Sequence, residues 1–141
     1  MVGFDELADR LVEVMKTVNL PNSKKAFTGV QKRVRSNLTS DRPCYIDLDG
    51  IQNYKEVLRN TTSFMDMHVI ITVACREIRD DQEITDYLLV DQALDTLRAN
   101  PTLNGLIRNM GLTNPYVQFK ETVGTKKYFV GQIHLGIKLQ R

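Results

Sequence analysis

Residues 62–78 read Thr-Ser-Phe-Met-Asp-Met-His-Val-Ile-Ile-Thr-Val-Ala-Cys-Arg-Glu-Ile. Side chains alternate across a β-strand, so every second residue shares a face. Met65, Met67, Val69, Ile71, Val73 and Cys75 fall on one side, and Phe64, Asp66, His68, Ile70, Thr72, Ala74 and Arg76 on the other. The first face is apolar without a break. A strand that long with one such face must lie against a core, so the stretch predicts a sheet covered on that side. The second face is mixed and reads as partly exposed to solvent or turned towards another subunit.

Towards the N-terminus, residues 3–18 carry Phe4, Leu7, Leu11, Met15 and Val18 at steps of three and four, with Ala8 and Val12 beside them. That is the spacing of an amphipathic helix. Asp5 and Glu6 stand in its first turn, where the helix dipole favours anions, and Asn19-Leu-Pro-Asn22 stops it. Residues 43–49 alternate as a strand, with Cys44, Ile46 and Leu48 together, and Asp49-Gly50 reads as a turn. Residues 51–61 fit either a short strand or a helical turn.

Towards the C-terminus, Arg79-Asp80-Asp81 offers a helix cap. Residues 82–99 then read as a second amphipathic helix with Ile84, Tyr87, Leu88, Val90, Leu94 and Leu97 inward. Asn100-Pro101 ends it, because the residue before proline resists helical geometry, and 102–107 adds one turn. Strands are expected at 115–122 and 127–139, the latter with Phe129, Ile133, Leu135, Ile137 and Leu139 on one face, joined by a hairpin loop through Gly124. The order helix, arm, strand, strand, helix, strand, strand predicts an α+β fold. Its sheet is mixed and mainly antiparallel, with both helices on one face and an extended arm or hairpin. One domain over residues 1–141 is expected, since 141 residues is an ordinary domain length.

With 42% hydrophobic and 26% charged residues, disorder over most of the chain is excluded. The formal charge of +2 is too near balance to point to nucleic acid by itself. Two cysteines, Cys44 and Cys75, rule out a disulfide scaffold and a four-cysteine zinc site. The longest uncharged apolar stretch, 69–75, is far too short to span a membrane, and Asp5 and Glu6 stand where a signal peptide would carry Lys or Arg. A soluble, intracellularly made chain without a membrane partner is the expectation.

Catalytic and ligand motifs are scarce. The only histidines, His68 and His134, both fall on expected strands on the mixed side, where they can be neighbours across the sheet. An enzyme would need them to converge with an acid in a pocket, and structural histidines are the plainer reading. Cys44 and Cys75 sit on apolar faces, where a thiol behaves as a small hydrophobe. No histidine or cysteine pair has metal-ligand spacing, and Asp47 with Asp49 lacks a third ligand, so no metal is expected. No glycine-rich phosphate cradle occurs, so no cofactor is expected either.

The segment 22–42 is the charge anomaly. Between residues 24 and 35 stand Lys24, Lys25, Lys32, Arg33 and Arg35 with no acid, and Phe27 is the sole aromatic. It reads as a basic loop or arm. It can be a solvated loop, a clasp on an acidic protein surface, or a contact to nucleic-acid phosphates. Lys24, Lys25, Phe27, Lys32, Arg33 and Arg35, with Lys126 and Lys127 of the hairpin loop, are the candidate subunit or partner contacts. Exposed sheet edges invite pairing with another chain. A chain with edges and an arm but no reactive centre is most simply a subunit of an assembly.

The run 91–106, Asp-Gln-Ala-Leu-Asp-Thr-Leu-Arg-Ala-Asn-Pro-Thr-Leu-Asn-Gly-Leu, resembles the tail terminator (tail completion, minor tail U-like) proteins of long-tailed bacteriophages. There a helix ends in a similar Asn/Asp-Pro-Thr-Leu turn. A variable strand and a final alternating strand follow, as Phe119 and 128–139 do here. The resemblance implies a virion structural protein made in the host bacterial cytoplasm. It implies a hexameric ring that caps the head-proximal end of the tail tube, stops tube polymerisation and offers the head or neck a docking surface. Implied partners are copies of itself, the tail tube protein, a head-completion or neck protein and, in a contractile tail, the sheath protein. Genomic DNA would only pass through the lumen. The alternatives are another head–tail connector or neck subunit, and a small nucleic-acid-binding module using the basic arm.

Overall fold

The computed structural model describes residues 3–33, 41–57, 62–76, 84–122 and 127–140. Helix α1 is Phe4–Lys16, followed by strands β1 Gly29–Lys32, β2 Pro43–Val57 and β3 Thr62–Arg76. Helix α2 is Asp86–Ala99, followed by β4 Asn109–Thr122 and β5 Tyr128–Gln140. The strands form one sheet in the order β1-β2-β3-β5-β4. Only β1 and β2 run parallel. The fold is α+β with a mixed, mostly antiparallel sheet.

The core lies between the sheet and both helices. β3 contributes Met65, Met67, Val69, Ile71, Val73 and Cys75, and β5 contributes Ile133, Leu135, Ile137 and Leu139. They face each other in register, Ile71 against Ile133 and Met67 against Ile137. Helix α1 lies over β1 and β2 and adds Leu7, Leu11 and Met15, each fully buried, to the same core. Burying one such side chain is worth about 1.5–3 kcal/mol relative to exposure. Glu6 accepts the Gly3 N–H at 3.4 Å and starts the helix.

Helix α2 departs from expectation in start and phase. The start near residue 82 and the cap at 79–81 fall outside the described residues up to 83; the helix begins at Asp86. Thr85 is its N-cap, with Oγ1 accepting the Leu88 N–H at 3.2 Å. Its buried stripe is Asp86, Leu89, Val90, Ala93 and Leu97. Tyr87, expected inward, points outward. Apolar residues flank both sides of this helix, so packing sets the phase. Gly131 of β5 is where α2 sits closest: a Cβ there would stand 2.6 Å from Val90 Cγ2. Burial raises the pKa of the Asp86 carboxyl above its ordinary value.

Two further expectations are corrected. Asp49-Gly50 is not a turn, because β2 continues to Val57 through a register shift between Leu48 and Gly50. The extra residue is Asp49, held as a β-bulge. The segment 22–42 is also not a free arm over its described part. Residues 19–26 turn back on α1, with Ala26 N–H bonded to Val18 C=O at 3.0 Å, and β1 then pairs with β2. Ala26 and Phe27 are buried in the core. These apolar anchors, few as they are, outweigh the charge around them. Residues 34–40 lie outside the described residues.

Candidate functional site

Each expected contact residue has a definite place except Arg35 and Lys126, which lie outside the described residues. Phe27 is buried, which removes it from the exposed set. Lys32 is clamped by two carboxylates of α1, at 2.8 Å from Asp5 and 2.9 Å from Asp9. The Asp5 hydrogen bond, with that of Asp9, raises its pKa. Lys25 Nζ donates to the Lys16 carbonyl at 3.1 Å. Lys24 and Arg33 are exposed, and the Arg33 N–H bonds the Ile46 carbonyl at 2.8 Å. Lys127 Nζ lies 5.2 Å from the centre of the Phe129 ring. The basic run is therefore partly neutralised by the chain itself, which lowers its value as a phosphate track.

The other edge of the sheet is more exposed in apolar atoms. Helix α2 lies over β3 and β5, one strand short of β4. On that same side Leu112 and Phe119 of β4 are 42% and 46% exposed, and Tyr87 of α2 is 61% exposed. Tyr87 and Phe119 pack edge to face with centroids 4.7 Å apart, an arrangement worth ~0.5–1.5 kcal/mol beyond area burial. Between α2 and β4 runs a groove of about 260 Å³ lined by Leu94, Leu97, Pro101, Met110, Leu112 and Leu135, with Arg98 at its border. Among the described residues β4 is outermost and pairs only with β5. Its outer N–H and C=O groups thus stand beside an apolar stripe. The sequence reading counts Tyr87, Leu94, Leu97 and Leu135 as inward and does not mark this surface, although Pro115 in the strand is a signal: a proline is tolerated at an edge, where its missing N–H costs no ladder bond.

A third constellation lies on the sheet face away from the helices. The two histidines do meet there. His68 pairs with Gly136 and His134 with Ile70, so the two side chains are diagonal neighbours on β3 and β5. His68 Nε2 and His134 Nδ1 are 3.1 Å apart. His68 Nδ1 is 2.8 Å from Asp49 Oδ2. The bulge puts this carboxylate on the open face, as bulges re-aim side chains. A carboxylate accepts, so His68 Nδ1–H donates to Asp49; with the ring neutral, its Nε2 accepts and His134 Nδ1–H donates to it. The acid convergence that an enzyme would need is present. The deep setting is not, since the Asp49 side chain is 54% exposed and that of His68 23%. Both nitrogens of His68 are already occupied, which leaves it none for activating a nucleophile in a Ser-His-Asp manner.

The cysteines are as expected. Cys44 is buried and burial drives its thiol pKa far up, while Cys75 Sγ donates to the Ile84 carbonyl at 3.3 Å. Among the described residues, no group of three or more His, Cys, Asp or Glu is arranged to hold a metal, and no helix is long and apolar enough to cross a membrane. The chain matches no protein-family model and no curated protein.

Proposed function

We propose that the chain is a structural subunit of a bacteriophage tail. It is a tail terminator that joins with copies of itself into a hexameric ring. The ring caps the head-proximal end of the tail tube, stops tube growth and gives the head or neck a surface to dock on. Its partners in this reading are its own copies, the tail tube protein, a head-completion or neck protein and, in a contractile tail, the sheath.

The observation that carries the reading is the β4 edge, with its outer side unpaired among the described residues and Leu112, Phe119 and Tyr87 exposed beside an apolar groove. An edge of this kind is a template for a second chain. A closed ring uses heterologous contacts, one surface meeting a different one on the next copy. The two edges of this sheet are unlike, so they suit that geometry. The resemblance of the run 91–106 to tail terminators points the same way.

Negative-stain imaging and native mass spectrometry of the purified chain, alone and with polymerising tail tube protein, test the proposal. Six-fold rings and tubes of arrested length are expected. A stable monomer that neither forms rings nor caps tubes contradicts it.

A further inference from the structure

The geometry points to a binding site for a borderline divalent cation (Zn²⁺, Ni²⁺ or Cu²⁺) formed by His68 Nε2 and His134 Nδ1, with Asp49 orienting His68. Two imidazole nitrogens bound to one such ion at ~2.0–2.1 Å stand about 2.9–3.4 Å apart for coordination angles between right and tetrahedral. Here they stand 3.1 Å apart. The rings meet nearly head to head, with centroids 5.2 Å apart and planes 27° apart. Turning each ring by about 35–45° makes the two opposed nitrogens convergent on an ion with coordination angles between right and tetrahedral. Both rings sit on adjacent central strands whose backbones are held in register over thirteen residue pairs, so little chain entropy remains to be lost.

The surroundings fit a ligand. Asp49 accepts from the far nitrogen of His68 at 2.8 Å. A carboxylate–histidine contact of this kind orients the ring and leaves the opposite nitrogen for a metal. Across the sheet, His68 stands in one row with Gly50 on β2, Gly136 on β5 and Gly111 on β4. A side chain added at Gly50 or Gly111 would meet nothing within 4 Å. The row is thus a trough in the open face with the imidazole standing in it. It leaves room for the waters that two protein donors require to complete a coordination shell. Imidazole donors select Zn²⁺, Ni²⁺ and Cu²⁺ over Mg²⁺ and Ca²⁺, which prefer oxygen.

Binding must displace the proton that His134 Nδ1 now shares with His68 Nε2. It moves to the other nitrogen of His134 or to water. The site does not depend on the proposed tail function.

The test is calorimetric titration of the full chain with Zn²⁺, alongside His68→Ala, His134→Ala and Asp49→Asn. One equivalent is expected to bind. Each histidine variant should lose at least tenfold in affinity, and Asp49→Asn about 10–100-fold. Imidazole ¹⁵N shifts of the wild-type chain give a readout that needs no variant: both His68 Nε2 and His134 Nδ1 should move on adding Zn²⁺. Unmoved ¹⁵N shifts at saturating Zn²⁺, or a His68→Ala/His134→Ala chain that binds as tightly as wild type, would overturn the site.

Discussion

The two edges of the sheet are treated in opposite ways. β1 is 4 residues long, lies under α1, and has its one lysine tied to Asp5 and Asp9. Its approach is anchored by Phe27, inside the core. β4 is 14 residues long, extends past the cover of α2, and shows Leu112 and Phe119 on its helix side. A short edge under a charged helix is guarded against pairing, whereas a long edge with an apolar flank invites it. The difference follows from where the helices stop, and it leaves one side of the sheet with an exposed apolar flank. In a monomer that side would be a liability. In the proposed ring it is the contact.

The sharpest way to separate the edges is one substitution applied to each. Phe27→Ala removes a buried ring and should destabilise the chain by about 3–5 kcal/mol, seen as a lower midpoint in urea. Phe119→Ala removes a half-exposed ring and should shift that midpoint by less than ~1 kcal/mol, while sharply reducing assembly. Equal stability losses at both would erase the distinction.

Next in size is Gly131→Ala. The new Cβ meets Val90 Cγ2 at 2.6 Å, so the Val90 side chain or the helix that carries it must shift. Overpacking of this kind costs ~1–3 kcal/mol. A shift of the helix also displaces Tyr87 from Phe119, so thermal stability and ring formation should fall together. An unchanged melting temperature would show that the contact yields freely.

Asp86→Asn tests the start of α2 by pH. The folded-state pKa of Asp86 is raised by burial. The folded chain therefore holds this proton more tightly than the unfolded one. The associated stability is full below the ordinary value of 3.8 and is lost as pH rises through the folded value. Asn carries no charge, so the variant should flatten that part of the stability–pH curve. A curve with unchanged slope would mean that Asp86 is solvated.

The smallest effect is expected at Lys32. Its pKa is raised by Asp5 and Asp9, so its contribution is present below the ordinary value of 10.5 and lost as pH rises through the raised value. Lys32→Met should change stability little, and less still in high salt, because exposed pairs are screened. Its service is to guard the β1 edge, so the variant should show more self-association at that edge by light scattering.

The parts legible in the sequence were those where burial writes a period. The alternation at 65–75 and 129–139 and the four-residue spacing of Leu7, Leu11 and Met15 state which side meets the core. α2 was legible as a helix but not in phase, because Leu88, Leu89, Val90 and Leu94 leave apolar residues on several sides while Asp86 goes in and Tyr87 out. The dipeptide Asp49-Gly50 signals broken regularity without saying whether the chain turns or bulges. β1 was hidden because a four-residue parallel strand with one bulky apolar residue, Val30, has no pattern to detect. The histidine pair was placed on the correct face, yet 66 residues separate its members. No spacing motif reports such a contact, and only strand register does.

Native mass spectrometry of the wild-type chain beside a Leu112→Asp/Phe119→Asp variant bears most closely on the β4 edge. Rings of six copies are expected from the wild type, and a folded monomer with unchanged far-ultraviolet circular dichroism from the variant. Rings that survive both substitutions, or a wild-type chain that stays monomeric at every concentration and in the presence of tail tubes, would contradict assembly through β4.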